Sequence, residues 1–168
     1  HRVDRRQRQM CIRDSFHPPC TFLCSSGLHW NKKMPIRQGE TDKAILFVKA
    51  LMDAPIPHIA LENPIGCLST QYRKPNQIIQ PWQFGHDASK ATCLWLKDLP
   101  LLVPTQIIPP TRFVNGKGRY SNQTNSGQNR LGPGPDRWKD RSRTYSGVAA
   151  AFAEQWSKYI VELKKRTS

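Results

Sequence analysis

Residues 17–23 read His-Pro-Pro-Cys-Thr-Phe-Leu, and residues 62–64 read Glu-Asn-Pro. A Pro-Pro pair has no N–H to donate and a fixed φ, so it enforces a stiff extended turn before Cys20. Glu62 and Asn63 follow a short apolar run that predicts a buried strand. Because open α/β sheets carry their chemistry outside the carboxyl ends of strands, these two polar turns are candidates for a site. A thiol on one turn and an acid on the other suggest a nucleophile with a proton donor.

The chain between the two turns is typical of an α/β domain. Thr41 fits a helix N-cap, and Pro55 stops the helix before the strand predicted at 57–61. Five apolar residues in between recur at helical spacing: Ile45, Phe47, Val48, Leu51 and Met52. A strand–helix–strand unit pairs its strands in parallel through a right-handed crossover. We therefore expect Cys20 and Glu62 at the same edge of one sheet.

Two later segments complete the predicted architecture. Residues 92–96 predict a further strand, and Ser146 is placed to begin a final helix. The apolar residues of that helix form one stripe, which predicts core packing more than a cofactor surface: Val148, Phe152, Trp156, Ile160 and Leu163. Residues 111–145 hold eight Lys or Arg and two Asp. We expect this segment to be a long basic loop that becomes ordered against a partner.

Composition narrows the class of protein. The chain of 168 residues is long enough for one domain, and no apolar run approaches membrane-spanning length. Five cysteines without regular close spacing argue against a disulfide framework and favour a reducing compartment. The formal charge of +14 draws the protein to polyanions, with nucleic acid as the default candidate. An excess of Lys and Arg also occurs on ordinary solvated surfaces, so the charge alone leaves the target open.

The first fifteen residues differ in character from the rest. Their apolar side chains are isolated among charges, and residues 8–15, Arg-Gln-Met-Cys-Ile-Arg-Asp-Ser, resemble a translated sequencing adapter. We interpret residues 1–15 as an artefact or a disordered basic arm, and residues 16–168 as the domain. Without residues 1–15 the chain keeps 21 basic against 10 acidic residues, so the inference of a polyanionic partner stands.

Three interpretations of the turn at Cys20 are open. In the first, Cys20 is a nucleophile whose thiolate is favoured by the positive charge of His17 and nearby arginines. In the second, His17, Cys20, Cys24 and His29 bind zinc, although their spacing matches no standard finger or ribbon. In the third, the cysteines are small buried hydrophobes. The pairing with residues 62–64 favours the first interpretation, with no metal.

On these residues the chain resembles the DNA cytosine-5 methyltransferases. Pro19-Cys20 is similar to the Pro-Cys motif of that family, and Glu62-Asn63 is similar to the Glu-Asn pair that follows it. The likeness to short, phage-type members covers most of residues 17–156. It implies a Rossmann-like fold that uses S-adenosylmethionine as methyl donor. We expect the fold to be incomplete at the N-terminus, because residues 1–16 contain no counterpart of the family's glycine-rich donor turn.

The resemblance implies a role for each matching residue. Cys20 would attack C6 of a cytosine flipped out of DNA, Glu62 would contact N3 of the ring, and Asn63 would brace the turn. Four residues fall in motifs that lie against the donor in the family: Pro18, Pro19, Ser146 and Gly147.

The implied partner is DNA, in the cytoplasm of a bacterial or phage-infected cell, without membrane association. Seven basic residues suit phosphate contacts: Arg73, Lys74, Lys90, Arg137, Lys139, Arg141 and Arg143. Thr21 and Pro64 stand where the family usually has glutamine and valine, which leaves the methylated atom open. One alternative is an amino-methyltransferase, which uses a related Pro-Pro-aromatic turn without a cysteine nucleophile. Another is a non-catalytic nucleic-acid-binding module that has lost its donor site.

Overall fold

The computed structural model describes residues 13–16, 18, 20–132, 134–135 and 137–167. The chain divides into two compact units. The first contains the described residues up to Ile78 together with Thr92–Leu101, and the second contains Ile79–Ala91 and the described residues from Leu102 onwards. The architecture is mixed α/β, which confirms the predicted class at that level. Among the described helices, none combines the length and the apolar character needed to cross a membrane.

A four-stranded sheet forms the centre of the first unit, with the strands in the order β1-β2-β4-β3. Strand β1 (Arg13–Phe16) runs parallel to β2 (His58–Pro64), and β2 runs antiparallel to β4 (Thr92–Lys97). Strand β3 (Gln77–Ile79) follows β4 in the order. Mixed sheets of this kind arise when a parallel unit gains an antiparallel neighbour.

Three helices accompany this sheet: α1 (Ser25–Leu28), α2 (Pro35–Asp53) and α3 (Leu68–Gln71). Helix α2 lies between β1 and β2 in the chain, so the predicted strand–helix–strand unit with parallel strands is confirmed. Phe16 is the register partner of Leu61. The loops that leave β1 and β2 therefore emerge at the same edge of the sheet.

The core of the first unit forms between α2 and β2. Ile45, Val48 and Met52 of α2 are buried in one cluster with Ile59 and Leu61 of β2. Each such side chain stabilises the fold by about 1.5–3 kcal/mol through removal of apolar surface from water. The helical spacing in the sequence predicted this face correctly, and alternation along β2 sends its odd-numbered residues towards it.

The start of α2 differs from the prediction. The helix begins at Pro35, with Met34 as N-cap, so Thr41 lies inside it. Proline is favourable at the first helical position because its missing N–H is one that the helix leaves unpaired anyway. The buried Thr41 hydroxyl instead donates to the Phe22 carbonyl at 3.1 Å and accepts from Asn31 Nδ2 at 2.9 Å. Thr41 thus ties the helix to the segment after β1.

Two boundaries of the predicted elements also differ. Glu62, Asn63 and Pro64 are the last residues of β2, where the sequence predicted a turn after the strand. At the other end, the arm predicted for residues 1–15 overlaps β1, because Arg13–Phe16 pair with β2. Residues 1–12 lie outside the described part of the chain, so the adapter interpretation stays a prediction for them.

The second unit contains the final helix, α5 (Ser146–Thr167), which begins at the predicted residue. Val148, Trp156 and Ile160 of its stripe are buried, which confirms the predicted core face. Residues 111–145 do not form one long loop. They contain a hairpin of β5 (Arg112–Val114) and β6 (Lys117–Arg119), and the short helix α4 (Arg137–Ser142).

The hairpin has a local cause in the sequence. Its turn is Asn115-Gly116, and both residues have positive φ, 49° and 71°. Asn-Gly is the preferred pair for two-residue hairpin turns, because both central positions need the left-handed region. The high polarity of the flanking residues concealed this signal.

The loops that follow β1 and β2 run side by side at Gly66. The backbone of Cys24 bridges to Gly66, and Cys67 N–H donates to the Leu23 carbonyl at 2.9 Å. Ser25 N–H donates to the Ile65 carbonyl at 3.0 Å. A Cβ on Gly66 would lie 1.8 Å from the Leu23 carbonyl oxygen, so only glycine allows this approach.

We predict that Gly66→Ala lowers the free energy of unfolding by about 1–3 kcal/mol or more, since the clash is with backbone and cannot be relieved by a side-chain rotation. Gly39→Ala is the matched control, because Gly39 lies within α2 and its added Cβ meets nothing within 4 Å. That variant should gain about 0.5–1 kcal/mol. Urea unfolding of both variants measures the difference, and equal stabilities would contradict the packing described at Gly66.

Candidate active site at the carboxyl edge of strands β1 and β2

A buried hydrogen bond joins the two segments that the sequence singled out. Asn63 Nδ2 donates to the Pro18 carbonyl at 3.1 Å, and Asn63 is only 1% exposed. Pro18 is buried as well. Because a buried amide is costly to leave unpaired, this bond fixes the backbone at Pro18 against the end of β2. The contact is the bracing geometry expected for Asn63.

Cys20 follows this anchored turn directly. It opens a short 3-10 helix, Cys20–Phe22, and is exposed to solvent. The N–H groups of Leu23 and Cys24 both donate to the Cys20 carbonyl, at 3.1 and 2.9 Å. These bonds hold the thiol at a fixed place on the edge of the sheet while its side chain stays accessible.

A cation that the sequence did not single out lies against the same turn. Arg37 Nη2 donates to the Thr21 carbonyl at 2.6 Å, and its guanidinium stands 4.9 Å from the centre of the Phe22 ring. Arg37 comes from the first turn of α2, ahead of the helix start that the sequence predicted at Thr41. Its charge favours anionic groups at this edge, including a thiolate.

The cysteine with the strongest perturbation is Cys24. A hydrogen bond from the Cys20 thiol is the main cause that lowers the pKa of Cys24 from 9.0 to about 5, although its partial burial opposes the shift. The Ser26 hydroxyl, 3.0 Å from Cys24 Sγ, and the N–H groups of Ser26 and Gly27 lower the pKa further. Cys20 and Cys24 thus form a thiol–thiolate pair at neutral pH. The sequence suggested Cys24 only as a zinc ligand.

Glu62 reaches the same edge from β2. Its register partner on β4 is Leu94, and alternation along the strand turns it to the opposite face from Asn63. Glu62 is partly buried, and its carboxylate contributes, after burial, to the raised pKa of Cys93. Among the described residues, Asn63 Oδ1 is a buried acceptor with no hydrogen-bond partner. The thiol of Cys20, the carboxyl group of Glu62 and the buried amide of Asn63 therefore all lie near the carboxyl ends of β1 and β2, with Glu62 and Asn63 on opposite faces of the sheet.

The four residues predicted to lie against the methyl donor come from two parts of the chain: Pro18 and Pro19 precede Cys20, and Ser146 and Gly147 begin α5. The Pro18 carbonyl is engaged by Asn63, and Pro19 lies outside the described residues. In the second unit, Gly147 N–H donates to His86 Nε2 at 2.9 Å, so the start of α5 is already covered. A Cβ on Gly147 would lie 1.9 Å from the Phe84 carbonyl oxygen, so close packing against Phe84 explains why this position is a glycine. The Pro18 carbonyl and the Gly147 N–H are thus already engaged within the protein, and binding of S-adenosylmethionine at these positions stays a prediction.

The basic candidates for nucleic-acid contacts divide into two kinds. Arg73 and Lys90 hold the fold together. Arg73 donates to Asn76 Oδ1 and to the Leu96 carbonyl, and Lys90 Nζ donates to the carbonyls of Arg141 and Arg143 at 2.7 and 3.1 Å. Side chains of three further candidates are exposed to solvent: Lys74, Arg141 and Arg143. The side chains of Arg137 and Lys139 lie outside the described part.

The described residues contain no cluster of ligands that would support the zinc interpretation. His17 lies outside them, and His29 is exposed and lies against Trp30, with 4.9 Å between the ring centres and the rings tilted by 42°. Over the described part of the chain, no group of three or more His, Cys, Asp or Glu side chains is placed to hold a metal ion. Cys24 is engaged with Cys20 and Ser26.

Comparison with known proteins adds no relative: no protein-family model, no curated protein and no solved structure matches this chain.

We predict that Cys24 makes folding stability depend on pH between about 9 and about 5. Its pKa is depressed in the folded state, so its contribution is full above pH 9 and is lost as the pH falls through about 5. Over that window the parent should lose more unfolding free energy than Cys24→Ser. Urea unfolding across the window measures both slopes. Parallel curves for the two proteins would show that Cys24 is not a stabilised thiolate.

Proposed function

We propose that this chain carries the part of a DNA cytosine-5 methyltransferase active site that binds and attacks the cytosine, on a Rossmann-like fold. The hydrogen bond from Asn63 to the Pro18 carbonyl is the observation that supports it most. That bond joins the two motifs on which the resemblance rests, although 45 residues separate them. The parallel pairing of β1 with β2 places both motifs at the edge where open α/β sheets bind ligands.

The site can carry out the first half of the reaction with its own residues. Cys20 Sγ forms a bond to C6 of the cytosine ring, and the electron pair of the C5–C6 double bond moves towards N3. A hydrogen bond between the Glu62 carboxyl group and N3 stabilises the charge that develops on the ring. As Cys20 attacks, its proton passes to the Cys24 thiolate, which its thiol already contacts. The product is a covalent cytosine adduct that carries nucleophilic character at C5.

The donor in this proposal is S-adenosylmethionine, which would supply the methyl group for C5. Of the residues expected to hold it, Pro18 and Gly147 are engaged in internal hydrogen bonds. The covalent adduct therefore defines the part of the function that the described residues support.

DNA is the proposed partner because the site must reach a single pyrimidine. A cytosine inside a duplex exposes neither ring face, so an enzyme of this kind flips the base out. The net charge of +14 lowers the cost of bringing the phosphate backbone to the surface. Exposed cations such as Lys74, Arg141 and Arg143 are available for phosphate contacts.

A second candidate is a nucleic-acid-binding module without catalysis. The engagement of Gly147 by His86 favours it, because that contact closes a position at which the family places its donor. This candidate predicts DNA binding that depends on the net charge and is unchanged when Cys20 is replaced. The amino-methyltransferase alternative makes the same prediction for Cys20, because it needs no cysteine nucleophile.

Covalent trapping tests the proposal. The DNA is a duplex pool of random sequence in which 5-azacytosine replaces cytosine, because the ring nitrogen at position 5 lets a thiolate add to C6 without a methyl donor. We expect the parent chain to form an adduct that survives denaturing electrophoresis. Cys20→Ser should lose the adduct, since a serine hydroxyl is a far weaker nucleophile near neutral pH.

The matched control is Cys67→Ala, which removes a thiol that is buried beside the same loop and is 4% exposed. That variant should keep the adduct if Cys20 alone carries the bond. An adduct in Cys20→Ser, or none in a folded parent, would overturn the assignment of Cys20. Salt-dependent DNA binding by a parent that forms no adduct would establish the non-catalytic candidate.

A further inference from the structure

Cys20 and Cys24 are separated by one turn of the chain. Cys24 N–H donates to the Cys20 carbonyl at 2.9 Å, which is the i to i+4 bond of a helical turn. Four residues of such a turn advance by roughly 6 Å, and disulfides join residues whose Cα atoms lie about 4.4–6.8 Å apart. A helical turn therefore places the two Cα atoms within the range that a disulfide spans.

The two side chains also interact. A hydrogen bond from the Cys20 thiol is the main cause of the lowered pKa of Cys24, so the two side chains lie within reach of each other. Cys24 Sγ lies 3.0 Å from the Ser26 hydroxyl, so one side of the pair is held by a polar group. Cys20 is exposed, which gives a soluble oxidant access to the pair. A thiolate in contact with a thiol, with access from solvent, is the arrangement of redox-active cysteine pairs.

We propose that Cys20 and Cys24 form a reversible intramolecular disulfide that removes the Cys20 thiol from the site. The oxidant is a low-molecular-weight disulfide of the glutathione class. The Cys24 thiolate attacks one of its sulfurs and releases a thiolate, which leaves Cys24 in a mixed disulfide. The Cys20 thiol then loses its proton, attacks Cys24 Sγ and releases the second small thiol. The protein has lost two electrons, and the oxidant has become two reduced thiols.

The consequence for activity rests on the proposed function. In the oxidised form, Cys20 Sγ is bonded to Cys24 Sγ and cannot attack C6 of cytosine. Adduct formation should therefore be lost on oxidation and restored by a dithiol reductant. Disulfide formation itself does not depend on the proposed function, so the two readouts can fail separately.

Thiol counting tests the disulfide. The folded parent is equilibrated in mixtures of oxidised and reduced glutathione, denatured in acid, and labelled with a maleimide before intact mass analysis. We expect the number of labelled thiols to fall from the five of the chain to three, without retained glutathione. Peptide mapping should place the new bond between Cys20 and Cys24, and circular dichroism should show an unchanged fold.

Three variants sharpen the result. Cys24→Ser should lose the internal disulfide and retain one glutathione on Cys20, because the second sulfur is missing. Cys67→Ala should behave as the parent, since Cys67 is buried and burial, its main perturbation, raises its pKa. Cys11→Ser should also behave as the parent, which removes the one cysteine outside the described residues from consideration.

Two outcomes would overturn the disulfide: a parent that keeps five labelled thiols under fully oxidising conditions, or a bond mapped to any other pair. A third outcome separates the two proposals. If the Cys20–Cys24 disulfide forms and the 5-azacytosine adduct persists undiminished, the redox proposal holds for the thiols while Cys20 is excluded as the nucleophile.

Discussion

The buried bond between Asn63 and the Pro18 carbonyl is the constraint on which the site depends. A Pro-Pro turn offers no backbone donor of its own, so its position must be set by what binds its carbonyls. The side chain of Asn63 does this from the last residues of β2. Gly66 helps to hold the same two segments together, because its missing side chain lets the loops after β1 and β2 form backbone hydrogen bonds with each other. The consequence is that the chain is anchored at Pro18, two residues before Cys20, against the end of β2.

The chemistry of the edge follows from the anchored turn. A cysteine one turn after Cys20 is brought against it, and the pair holds a single negative charge that the Ser26 hydroxyl and nearby N–H groups stabilise. The same contact that makes one sulfur a ready nucleophile or base makes the two sulfurs ready to join. Reactivity towards an electrophilic base and sensitivity to oxidation therefore have one structural cause.

The sequence predicted the parts of the fold that depend on apolar periodicity. The stripe of α2, the strand β2 and the start of α5 at Ser146 all follow from burial patterns that span several residues. The start of α2 was missed because Met34 caps it without a side-chain bond, while Thr41 bonds to a distant carbonyl. Such tertiary contacts leave no local signal in the sequence.

The site was predictable in its motifs and not in its partners. Cys20, Glu62 and Asn63 were predicted because their order matches a known pattern, whereas the contacts of Arg37 with Thr21 and of Cys24 with Cys20 arise only on folding. The donor residues were placed by resemblance alone. Their local packing, above all the bond between Gly147 and His86, could not be read from their order in the chain.

Nuclear magnetic resonance of the side-chain amide of Asn63 tests its hydrogen bond to the Pro18 carbonyl most directly. If its Nδ2 protons are bonded to the buried Pro18 carbonyl, they should exchange slowly with water and show cross-relaxation with the Pro18 ring protons. The side chain of Asn115, which is exposed on the hairpin turn, provides the rapidly exchanging reference. Rapid exchange at Asn63 without cross-relaxation to Pro18 would contradict this hydrogen bond. It would also contradict the proposed site, which depends on that bond.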